Sequence, residues 1–208
     1  FVLQTRVHLN KIRTPAISRR AQDVITKLKR MDLTNKLYKV FLIAGSEPLG
    51  TAGMQADIKS ISACGGYAAG AITCIVDEDT IKVKSIQTIP VEMVVSQTYS
   101  FLEDVGADCI KTGMLYSQEL VTAIGDVVKK QSIPIVVDPV MVSSAGDKLL
   151  QDDAIQAYKD CLFPYSTIIT PNRREADLLL GKSLTKDNMK EYIPELSKWG
   201  NCVIVKSI

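Results

Sequence analysis

From Leu37 onward, short apolar runs alternate with stretches whose apolar residues recur at helical spacing. "KVFLIAG" is a β-branched and aromatic run ending in glycine, and "AGMQADIKSISACG" follows it with helical periodicity. "GAITCIV" predicts a second strand, and "IKVKSIQTIP" a strand exposed on one face and stopped by Pro90. A helix is predicted over "PVEMVVSQTYSFLEDVG", with Pro90 just before or at its first turn. Next come a strand, "ADCIKTG", and a helix, "SQELVTAIGDVVKKQ", capped by Ser117. "IPIVVDP" reads as a strand ending at Asp138, "DDAIQAYKDCLF" as a helix and "STIITPN" as a strand. Two helices follow, "RREADLLLG" closed by Gly181 and "TKDNMKEYIPELSKWG" closed by Gly200, before a last strand, "CVIVK". Runs that are apolar on both faces belong to a parallel sheet covered by helices. With right-handed crossovers the expected fold class is α/β, a three-layer α/β/α domain around a mostly parallel sheet.

Composition changes this picture little. The chain has 208 residues, 46% hydrophobic and 23% charged, the values of a soluble globular protein with one α/β core. No apolar run approaches the roughly 18 residues that span a membrane, so no membrane partner is expected. Charge is more informative. The net +2 conceals five Arg and three Lys against Asp23 alone in residues 1–30, which leaves the body mildly acidic. An acidic body argues against a nucleic-acid partner. The expected organisation is a basic arm over residues 1–36 and one α/β domain over residues 37–208. The arm reads either as a transit peptide or as a packing or oligomerisation helix capped by Ser18. Cytoplasm is the expected compartment, with an organelle as the alternative if the arm is a transit peptide, and a homodimer is among the expectations. Cys64, Cys74, Cys109, Cys161 and Cys202 show no CxxC spacing and read as buried thiols in a reducing compartment. His8 is the only histidine, which disfavours zinc and histidine-based nucleophilic catalysis.

Ligands of parallel α/β sheets bind beyond the carboxyl ends of the strands. There the chain places "GSEPLGTAG", "DEDT", "KTGML", "DPVMVSSAGD" and "TPNRRE". "GSEPLGTAG" is neither a P-loop nor G-x-G-x-x-G. It reads equally as a tight strand-to-helix turn or as a backbone that a small planar ligand approaches closely. In "TPNRRE", Asn172 and Glu175 have capping-box spacing, and they also fit as oxygen ligands for Mg²⁺ or its waters. Asp138 ends a neighbouring strand, and an acid at that rim is costly unless paired or metal-linked.

"IAGSEPLGTAGMQADIKS", "AITCIVDEDT", "CIKTGML", "VVDPVMVSSAGDKLL" and "TIITPNRREADLLLG", in this order, resemble the hydroxymethylpyrimidine/phosphomethylpyrimidine kinase family of thiamine biosynthesis. The resemblance spans roughly residues 38 to 206, and related pyridoxal kinases share most of the motifs. It implies a ribokinase-like fold, ATP and Mg²⁺ as cofactors, and phosphorylation of a hydroxymethyl group on a heteroaromatic ring. By the same resemblance Gly45, Ala52, Gly53, Met114 and Val140 line the ring site, and Asp57 is an acid near the substrate. Asp138 serves metal and phosphate, Asn172 and Glu175 form the magnesium motif, and Lys206 stands beside the nucleotide phosphates.

Three departures from the family qualify these expectations. Glu78 replaces a glutamine that reads the pyrimidine edge. A carboxylate only accepts hydrogen bonds, which favours a pyridoxal-type ring as the alternative substrate. Ser144 stands where a phosphate-facing lysine is frequent. The chain stops at "VIVKSI", before the family's Gly-rich anion-hole turn and base. The chain as written is therefore expected to bind the ring alcohol without phosphorylating it, and a non-catalytic ring-binding protein is the reading of a different class.

Overall fold

The computed structural model describes residues 37–142, 149–150 and 154–206. The basic arm, with His8 and Ser18, and Ser144 lie outside them. Six strands form one sheet: β1 Lys39–Ser46, β2 Tyr67–Glu78, β3 Val83–Thr88, β4 Cys109–Thr112, β5 Ile135–Val137 and β6 Ile168–Ile169. Their order is β3-β2-β1-β4-β5-β6. All neighbours are parallel except β2 and β3, an antiparallel pair at the edge. The expected α/β class with a mostly parallel sheet is what the chain adopts.

β1 shows why its run is continuously apolar. Leu42 and Ala44 face helix α1 (Gly53–Ala63) with Met54, while Phe41 and Ile43 face the opposite layer. That second layer holds α2 (Val91–Asp104), α3 (Gln118–Val128) and α4 (Ala154–Ala157). Alternate side chains of one strand thus enter two separate cores, and neither face tolerates a polar residue. α5 (Arg173–Leu180) and α6 (Met189–Leu196) close a smaller apolar cluster around Ala176, Leu180, Leu184 and Leu196.

Local signals hold where they are strong. The Ser117 side chain accepts from the Leu120 N–H at the start of α3, and Gly181 ends α5 in the left-handed conformation. Four expectations need correction. The helix expected over "DDAIQAYKDCLF" is α-helical only over Ala154–Ala157. It widens to a π turn over Tyr158–Leu162 and tightens to a 3₁₀ turn at Phe163–Tyr165, where Pro164 has no N–H to continue an α ladder. α6 is shorter at both ends. Thr185 and Asn188 exchange side-chain bonds with each other's N–H ahead of it, and its C-cap is Ser197, not Gly200. "CVIVK" makes only two single bridges, Ile169 to Val203 and Asn172 to Lys206, because Pro171 interrupts the ladder. The cysteines are not uniformly buried: Cys74 is buried, Cys64 is exposed, and the other three are half-buried.

Candidate active site

β1 is the point where the strand order reverses, with β2 on one side and β4 on the other. Loops leaving its carboxyl end and that of its neighbour diverge there, and a crevice opens between them. The first wall is the loop after β1, shaped by Glu47. This side chain is only 6% exposed, and its carboxylate accepts N–H bonds from Leu49, Gly50, Thr51 and Ala52. Burial pushes the Glu47 carboxyl up, but the four backbone donors together outweigh it and hold the group below its ordinary value. α1 then starts at Gly53 with no side-chain cap from Ala52.

Two glycines let the backbone close on itself. Gly53 has φ +56°, and a Cβ there would lie 2.4 Å from the Gly45 carbonyl oxygen. A Cβ on Gly45 would lie 2.9 Å from Cys74 Sγ and 3.7 Å from Met114 Sδ. Cys74 and Met114 back this wall, their sulfurs 3.9 Å apart. Thr73 Oγ1 donates to the Met114 carbonyl at 2.7 Å and fixes the turn out of β4.

The result is a cavity of about 300 Å³. All seven residues expected at the ring site, Gly45, Ala52, Gly53, Asp57, Glu78, Met114 and Val140, line it, and Asp138 stands at its edge. A wider cleft of about 610 Å³ shares Ala52, Glu78, Asp138 and Val140 with it, and adds Asn172, Glu175 and Lys206. The two groups of expected residues therefore meet in adjoining spaces on one rim of the sheet.

In the outer cleft, Lys206 Nζ pairs with Asp138 Oδ1 at 2.8 Å. The lysine is positioned by its own backbone, whose N–H bonds the Pro171 carbonyl. Asn172 and Glu175 form a complete capping box: Asn172 Oδ1 accepts from the Glu175 N–H at 3.0 Å, and Glu175 Oε2 from the Asn172 N–H at 2.7 Å. The capping reading is thus realised. Glu175 Oε1 also accepts a longer bond from the Met141 N–H, at 3.4 Å. Burial pushes the Glu175 carboxyl up to about 7 against the pull of the Asn172 N–H; Asp138 adds to the rise and Lys206 opposes it. Tyr158, wholly buried on the π turn, feels the same two carboxylates, which raise its phenol further after burial has done so.

Among the described residues no group of three or more His, Cys, Asp or Glu is placed to hold a metal by itself. The donors present are oxygens, one half-buried carboxylate at Asp138 and a second behind it at Glu175. That set fits a hard cation which keeps several waters and shares its coordination with phosphate oxygens, as Mg²⁺ does.

Sequence reasoning overlooked two residues of the site. Lys111 pairs with Asp57 inside the ring cavity, each side chain about one-fifth exposed. A lysine inside the otherwise apolar strand run "CIKTG" was a usable signal, because a buried ammonium demands a partner. Glu47 was the other. An acid at the head of a loop of small residues can bond that loop's own N–H groups.

A family model described as phosphomethylpyrimidine kinase matches residues 47–208. The chain is 38% identical over 164 residues to a probable thiamine biosynthetic bifunctional enzyme of rice, named chloroplastic, covering 77% of this chain and 30% of that one. It is 39% identical over 145 residues to a hydroxymethylpyrimidine/phosphomethylpyrimidine kinase of Mycobacterium leprae, covering 69% and 52%. Among solved structures, a phosphomethylpyrimidine kinase from Clostridium difficile superposes with TM-score 0.74 at 33% identity, covering 83% of this chain and 76% of that one. A pyridoxal kinase from Staphylococcus aureus, in complex with AMP-PCP and pyridoxal, superposes with TM-score 0.72 at 33% identity, covering 82% and 62%. The chain spans about half the length of curated relatives such as the M. leprae enzyme. Among the described residues, no helix is long and apolar enough to cross a membrane.

Proposed function

The chain belongs to the phosphomethylpyrimidine kinase family, and on that premise we propose that it serves the ATP- and Mg²⁺-dependent phosphorylation of the hydroxymethyl group of a heteroaromatic vitamin precursor, hydroxymethylpyrimidine or its phosphate. One observation carries the reading. A ring-sized cavity walled by bare backbone at Gly45 and Gly53 opens directly onto the cleft that holds Asp138, Glu175 and Lys206. A flat ring lies against the Gly45–Gly53 wall, with the Met114 thioether as an adaptable apolar face. Its hydroxymethyl group then points to the outer cleft.

MgATP supplies the phosphoryl group and part of the charge neutralisation. Phosphoryl transfer asks the protein mainly for positioning and electrostatics. Asp138 is the carboxylate that would hold the cation, with Glu175 behind it, and Lys206 both orients Asp138 and faces the phosphates. The Asp57–Lys111 pair gives the ring a polar edge within the cavity. Calorimetric titration with 4-amino-5-hydroxymethyl-2-methylpyrimidine tests the reading. The wild-type chain binds it, and Ala52→Phe, which fills the cavity from an exposed position, abolishes binding. A wild-type chain that binds neither this ring nor pyridoxal overturns the proposal.

A pyridoxal-type ring is the second reading, favoured by Glu78 in the cavity wall. An acceptor-only carboxylate suits the phenol and protonated ring nitrogen of pyridoxal better than an aminopyrimidine edge. Glu78→Gln should tighten aminopyrimidine binding about three- to tenfold, the value of one recovered hydrogen bond. Unchanged affinity removes the edge-reading role. We place the reaction in the cytoplasm or, as the basic arm and the chloroplastic rice relative support, in an organelle; cell fractionation distinguishes the two.

A further inference from the structure

The outer cleft is roofed on one side by the turn between β2 and β3, residues 79–82. The turn is rigidly built. Asp79 Oδ1 accepts the N–H groups of Ile81 and Lys82 at 2.9 and 3.0 Å, and the Asp79 N–H donates to the Lys82 carbonyl at 3.1 Å. Lys84 Nζ pairs with Asp79 Oδ2 at 3.2 Å. Both backbone groups of Lys82 are thus engaged, and the residue lines the same cleft as Asp138 and Lys206.

Several charges of that cleft are already engaged. Lys206 is held by Asp138, and Asp79 by Lys84. Glu175 is buried in its capping box. Among the described residues, the ammonium group of Lys82 has no hydrogen bond or ion pair. A phosphate group entering this space meets the carboxylates of Glu78, Asp79, Asp138 and Glu175, and needs a cation that is not already neutralised. Lys82 meets that need, on a four-carbon stem long enough to swing over the opening.

We propose that Lys82 is a phosphate-binding residue, which receives the phosphate of a phosphomonoester whose ring lies in the inner cavity. The ring placement rests on the function proposed above; the anion-binding role of Lys82 does not. Lys82 therefore separates phosphorylated from unphosphorylated ring ligands and leaves recognition of the ring itself to the inner wall.

The experiment is calorimetric titration of the full chain with hydroxymethylpyrimidine, with its monophosphate, and with inorganic pyrophosphate as a ringless probe. Wild type, Lys82→Gln and Lys82→Arg are compared at low and moderate salt. The Gln variant should weaken monophosphate and pyrophosphate binding about three- to tenfold, as expected for one exposed charge-assisted contact. It should leave the alcohol unchanged, and the Arg variant should restore phosphate affinity. The wild-type preference for phosphorylated ligand should shrink with added salt, and that of Lys82→Gln should not. Equal losses for alcohol and monophosphate, or no loss for either phosphate ligand, overturn the role of Lys82. Lys82-dependent pyrophosphate binding in a chain that binds no ring supports Lys82 and overturns the ring reading instead. A chain that binds no phosphate ligand at all overturns Lys82.

Discussion

Replacing Glu47 by Gln tests whether one carboxylate organises the ligand wall. In the wild type two oxygens accept four N–H groups, from Leu49, Gly50, Thr51 and Ala52. A glutamine amide keeps one oxygen, enough for two of them, and turns an NH₂ donor toward the other two. A hydrogen bond to a charged acceptor contributes about 1.5–3 kcal/mol, and water at this partly open loop recovers some of what is lost. The expected destabilisation is about 2–4 kcal/mol, read from urea midpoints at unchanged m. Its pH dependence is the sharper readout. The folded-state pKa of Glu47 lies below the unfolded value near 4.5, so its contribution is complete above that pH and is lost as pH falls through the folded value. The gap between wild type and Glu47→Gln should therefore be widest near neutrality and narrow progressively as pH falls below the ordinary carboxylate value. The variant should also bind the ring alcohol more weakly, because the Thr51–Ala52 segment lines the cavity. A gap below about 0.5 kcal/mol at neutral pH, or one of constant size down to acid, would refute the reasoning.

Glu175→Gln should behave in the opposite sense. The buried carboxyl titrates at about 7 in the folded chain, above the ordinary 4.5, so wild-type stability declines as pH rises from about 4.5 to about 7 and is then level; the variant should flatten that decline, and denaturation curves that keep the slope would reassign it to another group. Gly53→Ala should cost more than about 2 kcal/mol, since its Cβ meets backbone at 2.4 Å in a left-handed conformation. In Gly45→Ala the only contact tighter than van der Waals distance is the Cys74 thiol at 2.9 Å, so adding Cys74→Ala should recover most of its stability loss. Additive losses in the Gly45–Cys74 double-mutant cycle would show that the contact is not the cause.

Much of this molecule was legible in its residues because the signals are local. A short run apolar on both faces, rich in β-branched residues and closed by glycine, fits an interior strand, and Ser117, Gly181 and the Asn172–Glu175 spacing mark helix ends through bonds spanning three or four residues. The strand-end motifs pointed to one rim because every parallel strand delivers its carboxyl end to the same edge. What tertiary structure decided was everything that depends on which segments become neighbours. The placement of β1 between β2 and β4 puts the crevice at Gly45, and nothing within "KVFLIAG" encodes its neighbours. Lys111 finds Asp57 across 54 residues of chain. The last expected strand is reduced to two bridges by a proline just past the strand it meets, Pro171, and not by any residue of its own. Local hydrogen bonding sets elements, whereas burial and partner choice are properties of the packed chain, so the site's chemistry was readable residue by residue and its geometry was not.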